Sequence, residues 1–215
     1  MIPSTRFKTR AKHHAILITV TALLLLAFFK LIPGDDVTYL GSMATGYVSI
    51  ILLAITLLIG PLNMYLKKLN PVSNDLRRDT GIWCGFIGLA HIVFGIQVHM
   101  GNIFLYFFKA VEGDDAYKLR DDIFGAANYT GLAAGLILLI LLLLSNDLSL
   151  QWLKTKRWKN IQRWNYLLFA LVLIHGILFQ IIEKRIMVII ILFSIIMIIP
   201  LVGQSIGISI ARKNK

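Results

Sequence analysis

The 215-residue sequence has one cysteine, five prolines and only eleven acidic residues. A lone Cys84 forms no intramolecular disulfide and matches no CxxC or zinc-ligand spacing, so a small buried hydrophobe is its expected role. No G-x-G-x-x-G opens a strand–helix unit, which removes a dinucleotide-binding fold. The carboxylates lie in loops or at the ends of apolar runs, so no acidic cluster is expected at mid-membrane depth. No repeat appears at a period of 20–50 residues, and no inverted pair of broken helices suggests a transporter. A small-solute transporter is correspondingly the weakest of the readings considered.

What remains is apolar. Hydrophobic residues make up 57% of the chain, and the mean hydropathy is +0.75. A bilayer core takes about 20 apolar residues per helix. Six runs meet that length, at about 15–33, 43–66, 81–104, 123–144, 164–182 and 186–205. They do not alternate as barrel strands do, and unpaired backbone is not tolerated in lipid. The expected architecture is an all-α membrane protein, a six-helix bundle over 15–205, with a basic N-terminal arm (1–14) and a basic tail (206–215). The runs leave little room for a soluble domain. The first has a basic start but ends in Lys30, Pro33 and Gly34 without a small-residue cleavage site, so it is expected to be retained. Pro61 and Pro200 are candidate kinks.

The formal net charge is +11. Sixteen of the 22 Lys and Arg fall in four segments. These are the N-terminus, loop 67–79, loop 145–163 and the tail. With six spans all four share one side, and the positive-inside rule makes that side, with both termini, cytoplasmic in a cell-membrane protein. Topology thus accounts for the charge without nucleic acid. Trp152, Trp158 and Trp164 fit an interfacial aromatic belt. Residues 109–122 form the one sizeable outer loop, and Glu183 to Arg185 a tight outer turn.

The histidines carry the chemistry. His13 and His14 belong to the basic arm and are expected to be solvated or at headgroup level. His91 and His175 lie ten and eleven residues into the third and fifth runs. Each is about 15 Å from its inner end, near the middle of a ~30 Å core. The two runs are parallel, so the imidazoles share a depth. An ionisable side chain there calls for a named partner. One reading has each imidazole hydrogen-bonded to neighbouring backbone or hydroxyl groups. The other has both ligating one group between them. Zinc usually takes four ligands, and no carboxylate is expected near. Haem iron needs only two axial imidazoles, so elimination leads to one bis-histidine haem b, with His91 and His175 as iron ligands. Gly81, Gly85, Gly88 and Gly95 form a stripe on the third run. Gly88 and Gly95 would leave room for the macrocycle, or the stripe would serve close helix packing. His99, about 12 Å further out, is a candidate propionate contact or an interfacial residue, level with Glu183 on the fifth run. Lys109, Lys118 and Arg120 are further propionate candidates.

Three segments, "LRRDTGIWCGFIGLAHIVFGIQVH" (76–99), "FGAANYTGLAAG" (124–135) and "SNDLSLQWLKTKRWKNIQRWNYLLFALVLIHGILFQ" (145–180), resemble the ferric reductase-like transmembrane family. That family includes the membrane part of NADPH oxidases and the haem subunit of the bacterial methionine sulfoxide reductase system. The resemblance covers about residues 45–185. It implies that His91 and His175 match the outer haem pair. The inner histidine slot reads Gln162-Arg163, and the facing region holds Arg77 and Arg78, so one pair at most is complete. The implied function is an electron carrier, possessing or serving an oxidoreductase activity. Its donor would be a separate cytoplasmic protein, with flavin or quinone supplied separately, and its acceptor ferric iron or a partner reductase at the outer face. The alternative is a non-enzymatic membrane scaffold or partner-binding subunit of the same fold without haem.

Overall fold

A computed structural model describes residues 4–66, 75–99, 101–111, 113 and 116–213, with side chains from residue 7 onward. Seven α-helices are formed among them: α1 Ser4–Leu31, α2 Val37–Tyr65, α3 Asp75–Gly95, α4 Ile123–Leu143, α5 Asp147–Gln162, α6 Trp164–Ile182 and α7 Met187–Lys213. Five helical segments are long and apolar enough to cross a membrane. They comprise most of α1, all of α2, α4 and α7, and the segment running from α5 into α6. The chain is a helical, multi-pass membrane protein.

Local chemistry sets the helix starts. Asp36 accepts the Thr38 amide at 2.8 Å to begin α2, Asp122 accepts that of Gly125 at 2.7 Å to begin α4, and Asn146 accepts that of Ser149 at 2.7 Å to begin α5. Each caps amides that have no partner within the helix. Inside the helices, Thr45, Thr56, Thr80 and Ser194 return their hydroxyls to carbonyls four residues back, so these polar side chains need no water.

Helix α2 is the axis of the bundle. It packs against α1, α3 and α7, while α4 packs against α3 and α6. Ala44, Val48 and Leu52 have no exposed surface. The outer faces of α4 and α7 present Leu132, Leu136, Leu143, Ile191, Ile198 and Ile206 instead. An apolar perimeter of this extent belongs against lipid.

The structure departs from the sequence expectations in four places. Residues 4–14 are no separate arm: α1 is helical from Ser4. The third run ends at Gly95 rather than 104, and charged residues in its first turn keep α3 outside the five apolar segments. The backbone amide of His99 donates to the Tyr106 hydroxyl at 3.0 Å, which donates to the Gly95 carbonyl at 3.1 Å, so one phenol closes the helix end. The outer loop contains an antiparallel hairpin, β1 Phe108–Ala110 with β2 Tyr117–Leu119, paired Lys109 to Lys118. The basic loop 145–163 is largely α5, which is kinked at Lys154, has no buried residue and exposes Trp152.

Candidate functional site

His91 of α3 and His175 of α6 meet. Their ring centroids are 6.2 Å apart and their planes nearly perpendicular, at 82°. The depth match counted along the sequence is therefore a spatial one. The two helices scarcely touch each other directly; α3 is held by α2 and α4, and α6 by α4. The two imidazoles are thus brought together through α2 and α4.

Each ring is oriented by a backbone carbonyl. His91 Nδ1 is 2.9 Å from the Ser42 oxygen on α2, and His175 Nδ1 is 2.8 Å from the Ala127 oxygen on α4. A carbonyl only accepts, so both Nδ1 atoms carry the proton. In neutral imidazoles this leaves each Nε2 with a lone pair, the form that ligates a metal. No hydrogen bond among the described residues engages either Nε2. The expectation of histidines bonded to backbone thus describes one nitrogen of each ring and leaves the other free.

Two glycines make this orientation possible. A Cβ at Gly131 would lie 2.7 Å from the His175 ring, and one at Gly46 would lie 3.0 Å from His91 Nδ1. Gly88, in the stripe on the third run, follows the close-packing reading. A Cβ at Gly88 would meet Leu138 at 2.5 Å and Ser49 at 3.0 Å, so Gly88 serves packing of α3 on α2 and α4. Gly95 has Ser42 Oγ nearest, at 3.6 Å.

Toward the outer end an aromatic column continues from the pair. Phe179 lies 4.9 Å from His175 and stacks on His99 at 5.9 Å and 17°. His99 Nε2 is 3.1 Å from Glu183 Oε1, so the residue level with it on the fifth run is its partner. The cations considered for propionates are already paired. Lys109 and Lys118 meet Asp121, and Arg120 meets Asp122 at 3.1 Å. Those bonds hold the carboxyls down: Lys109 and then Lys118 lower Asp121 to about 2, and Arg120 lowers Asp122.

At the opposite end His13 and His14 are not simply solvated. Asp79 is fully buried near the start of α3 and accepts from Arg10 at 2.7 Å. His13 Nδ1 lies 3.0 Å from it and His14 Nε2 3.6 Å. Trp83 Nε1 donates to His14 Nδ1 at 3.1 Å. A buried carboxylate needs such partners, and Asp79 so close before an apolar run is the sequence signal for them. Cys84 is buried, as expected, with Ser49 beside it.

The donor set bears on what the pair can hold. Among the described residues no group of three His, Cys, Asp or Glu side chains could hold a metal ion, so a metal held at the imidazole pair by protein ligands alone would lack donors. A planar macrocycle supplying four equatorial nitrogens needs only two axial ones. His91 and His175 would hold such a group through their Nε2 atoms. The centroid separation and the two anchored Nδ1 atoms suit such a group.

No curated protein matches the chain. The resemblance to ferric reductase-like domains does not hold: a different family matches, over residues that include His91. The segments that carried the resemblance have plainer causes, since a tryptophan- and lysine-rich stretch before an apolar helix is what a membrane interface favours. The family described as "Putative integral membrane protein (DUF2391)" matches residues 3–139, more than half of the chain, and the protein belongs to that family.

Proposed function

We propose that this chain binds one haem b through His91 and His175 and acts as an integral membrane electron-transfer protein. Its donor would be a cytoplasmic protein or a quinol, and its acceptor would be at the outer face, ferric iron or a partner reductase. The observation that carries this reading is the imidazole pair: two rings from α3 and α6, each anchored through Nδ1 on a backbone carbonyl, with centroids 6.2 Å apart. The bound group would supply a one-electron iron couple. The chain's own part is to fix both tautomers, aim the two lone pairs and keep the surroundings apolar. The aromatic column from His175 through Phe179 to His99 supports an outward direction.

The proposed topology has six spans and both termini in the cytoplasm. Helix α3 has 21 residues, about 31 Å of helix, enough for a bilayer core. Its low apolarity comes from the cluster at its base, where Asp79 meets α1 and Arg78 meets Asp147 of α5 at 2.5 Å. These contacts gather basic segments at one end of the bundle, which the positive-inside rule assigns to the cytoplasm of a cell membrane.

The test is the visible spectrum of the chain purified in detergent after expression with ample haem. A sharp α-band on dithionite reduction is expected, lost in His91→Ala and in His175→Ala. A colourless preparation contradicts the reading. It would favour a haem-free scaffold in which the imidazoles only tie α3 to α2 and α6 to α4.

A further inference from the structure

Below the imidazole pair, at the basic end of the bundle, lies a cavity of about 280 Å³. Leu138, Leu142 and Leu168 line its apolar part, and Arg77, Arg78 and Gln162 part of its polar side. Lys159 and Arg163 also line it, and among the described residues no carboxylate does. Arg78 is the most constrained of these groups. Its side chain is only 10% exposed, and one guanidinium nitrogen is held by Asp147. Its Nε is buried without an acceptor, and so is Nε2 of Gln162. A buried donor left unpaired is costly, and native folds leave few of them. Here two occur on the wall of one cavity, among four cations.

We infer that this cavity binds a phosphate group, with Arg78, Gln162 and Arg77 donating to its oxygens. A phosphate accepts several hydrogen bonds, carries the charge that Arg77, Lys159 and Arg163 call for once Arg78 is paired with Asp147, and suits guanidinium donors. The leucine wall fits the hydrocarbon of an anionic phospholipid, and inorganic phosphate offers the same oxygens without it. The inference is independent of whether His91 and His175 hold a haem.

The test uses the full chain, delipidated in a neutral detergent. Binding of phosphatidylglycerol and phosphatidylcholine is followed by native mass spectrometry, and the effect of inorganic phosphate by thermal shift. Gln162→Leu removes an unpaired buried donor, so the ligand-free fold should be no less stable than the parent. Its affinity for the anionic ligand should fall about tenfold, the loss of one charge-assisted hydrogen bond. Preference for phosphatidylglycerol that Gln162→Leu and Arg77→Gln each weaken supports a lipid ligand. Stabilisation by inorganic phosphate that the same variants abolish, without preference between the lipids, supports free phosphate. The inference is overturned if neither probe distinguishes the variants from the parent. It is equally overturned if Lys213→Gln, at the end of α7 and outside the cavity, weakens binding as much as Gln162→Leu.

Discussion

Replacing Gly131 by alanine places a methyl group 2.7 Å from both Nδ1 and Cε1 of His175. Ordinary carbon contacts begin near 3.5 Å, so the ring must retreat by roughly 0.8 Å. That movement stretches a 2.8 Å bond to Ala127 beyond useful length. Crowding of this kind costs about 1–3 kcal/mol, and the lost hydrogen bond adds about 1 kcal/mol. Against this, alanine is about 1 kcal/mol better than glycine within a helix. The net expectation for Gly131→Ala is a loss of about 1–3 kcal/mol. Gly81→Ala is the control, because its new methyl meets only Thr56 Cγ2, at 3.7 Å. It should keep most of the helix gain and be stabilising by up to about 1 kcal/mol. Equilibrium unfolding in mixed micelles with increasing SDS compares them. If the two variants shift the midpoint equally and in the same direction, the close approach of Gly131 to His175 is not real, and the account of how that ring is oriented fails.

Asp79→Asn should destabilise by about 3 kcal/mol, near the low end for breaking a buried ion pair because the partners can reach water; faster tryptic cleavage at Arg10 would report α1 coming loose. Tyr106→Phe removes the hydroxyl between the His99 amide and the Gly95 carbonyl. A loss of about 1–2 kcal/mol is expected, with faster hydrogen exchange at the His99 amide and unchanged exchange in α2. Asp121 titrates at about 2 in the folded protein, below the ordinary value near 3.9. Its pairing with Lys109 and Lys118 therefore contributes fully above about pH 4 and is lost as pH falls through about 2. Carboxyl NMR of the hairpin should show that midpoint, and one near 3.9 would mean the lysines do not hold it.

The parts of the structure that depend on counting were legible in the sequence. His91 and His175 lie at similar distances from charged inner ends, so their common depth follows from helical rise alone; the pairing of His99 with Glu183 did not, because α3 ends at Gly95, before His99. Features that depend on which faces touch were not. Gly46 and Gly131 look like any glycine in an apolar run; only the packing of α2 on α3 and of α4 on α6 turns them toward imidazoles. For Gly88 the sequence left room-making and close packing both open, and contact with Leu138 decides for packing. Helix α3 stops at Gly95 because a phenol eleven residues later closes it, which no local pattern announces. His13 and His14 looked solvated because the carboxylate that gathers them is 66 residues away from His13 along the chain. The family resemblance misled for a related reason, since interfacial tryptophans, basic turns and midplane histidines are demanded by the bilayer as much as by ancestry.

The central claim is that one iron-bearing macrocycle sits between His91 and His175. Low-temperature electron paramagnetic resonance of the oxidised, purified chain tests it most directly, because perpendicular axial imidazoles give a highly anisotropic low-spin ferric signal and parallel ones a rhombic signal. The 82° between the two rings predicts the anisotropic signal, absent from His91→Ala and His175→Ala. A preparation supplied with haem that shows no low-spin signal, or one that survives both substitutions, would contradict the account.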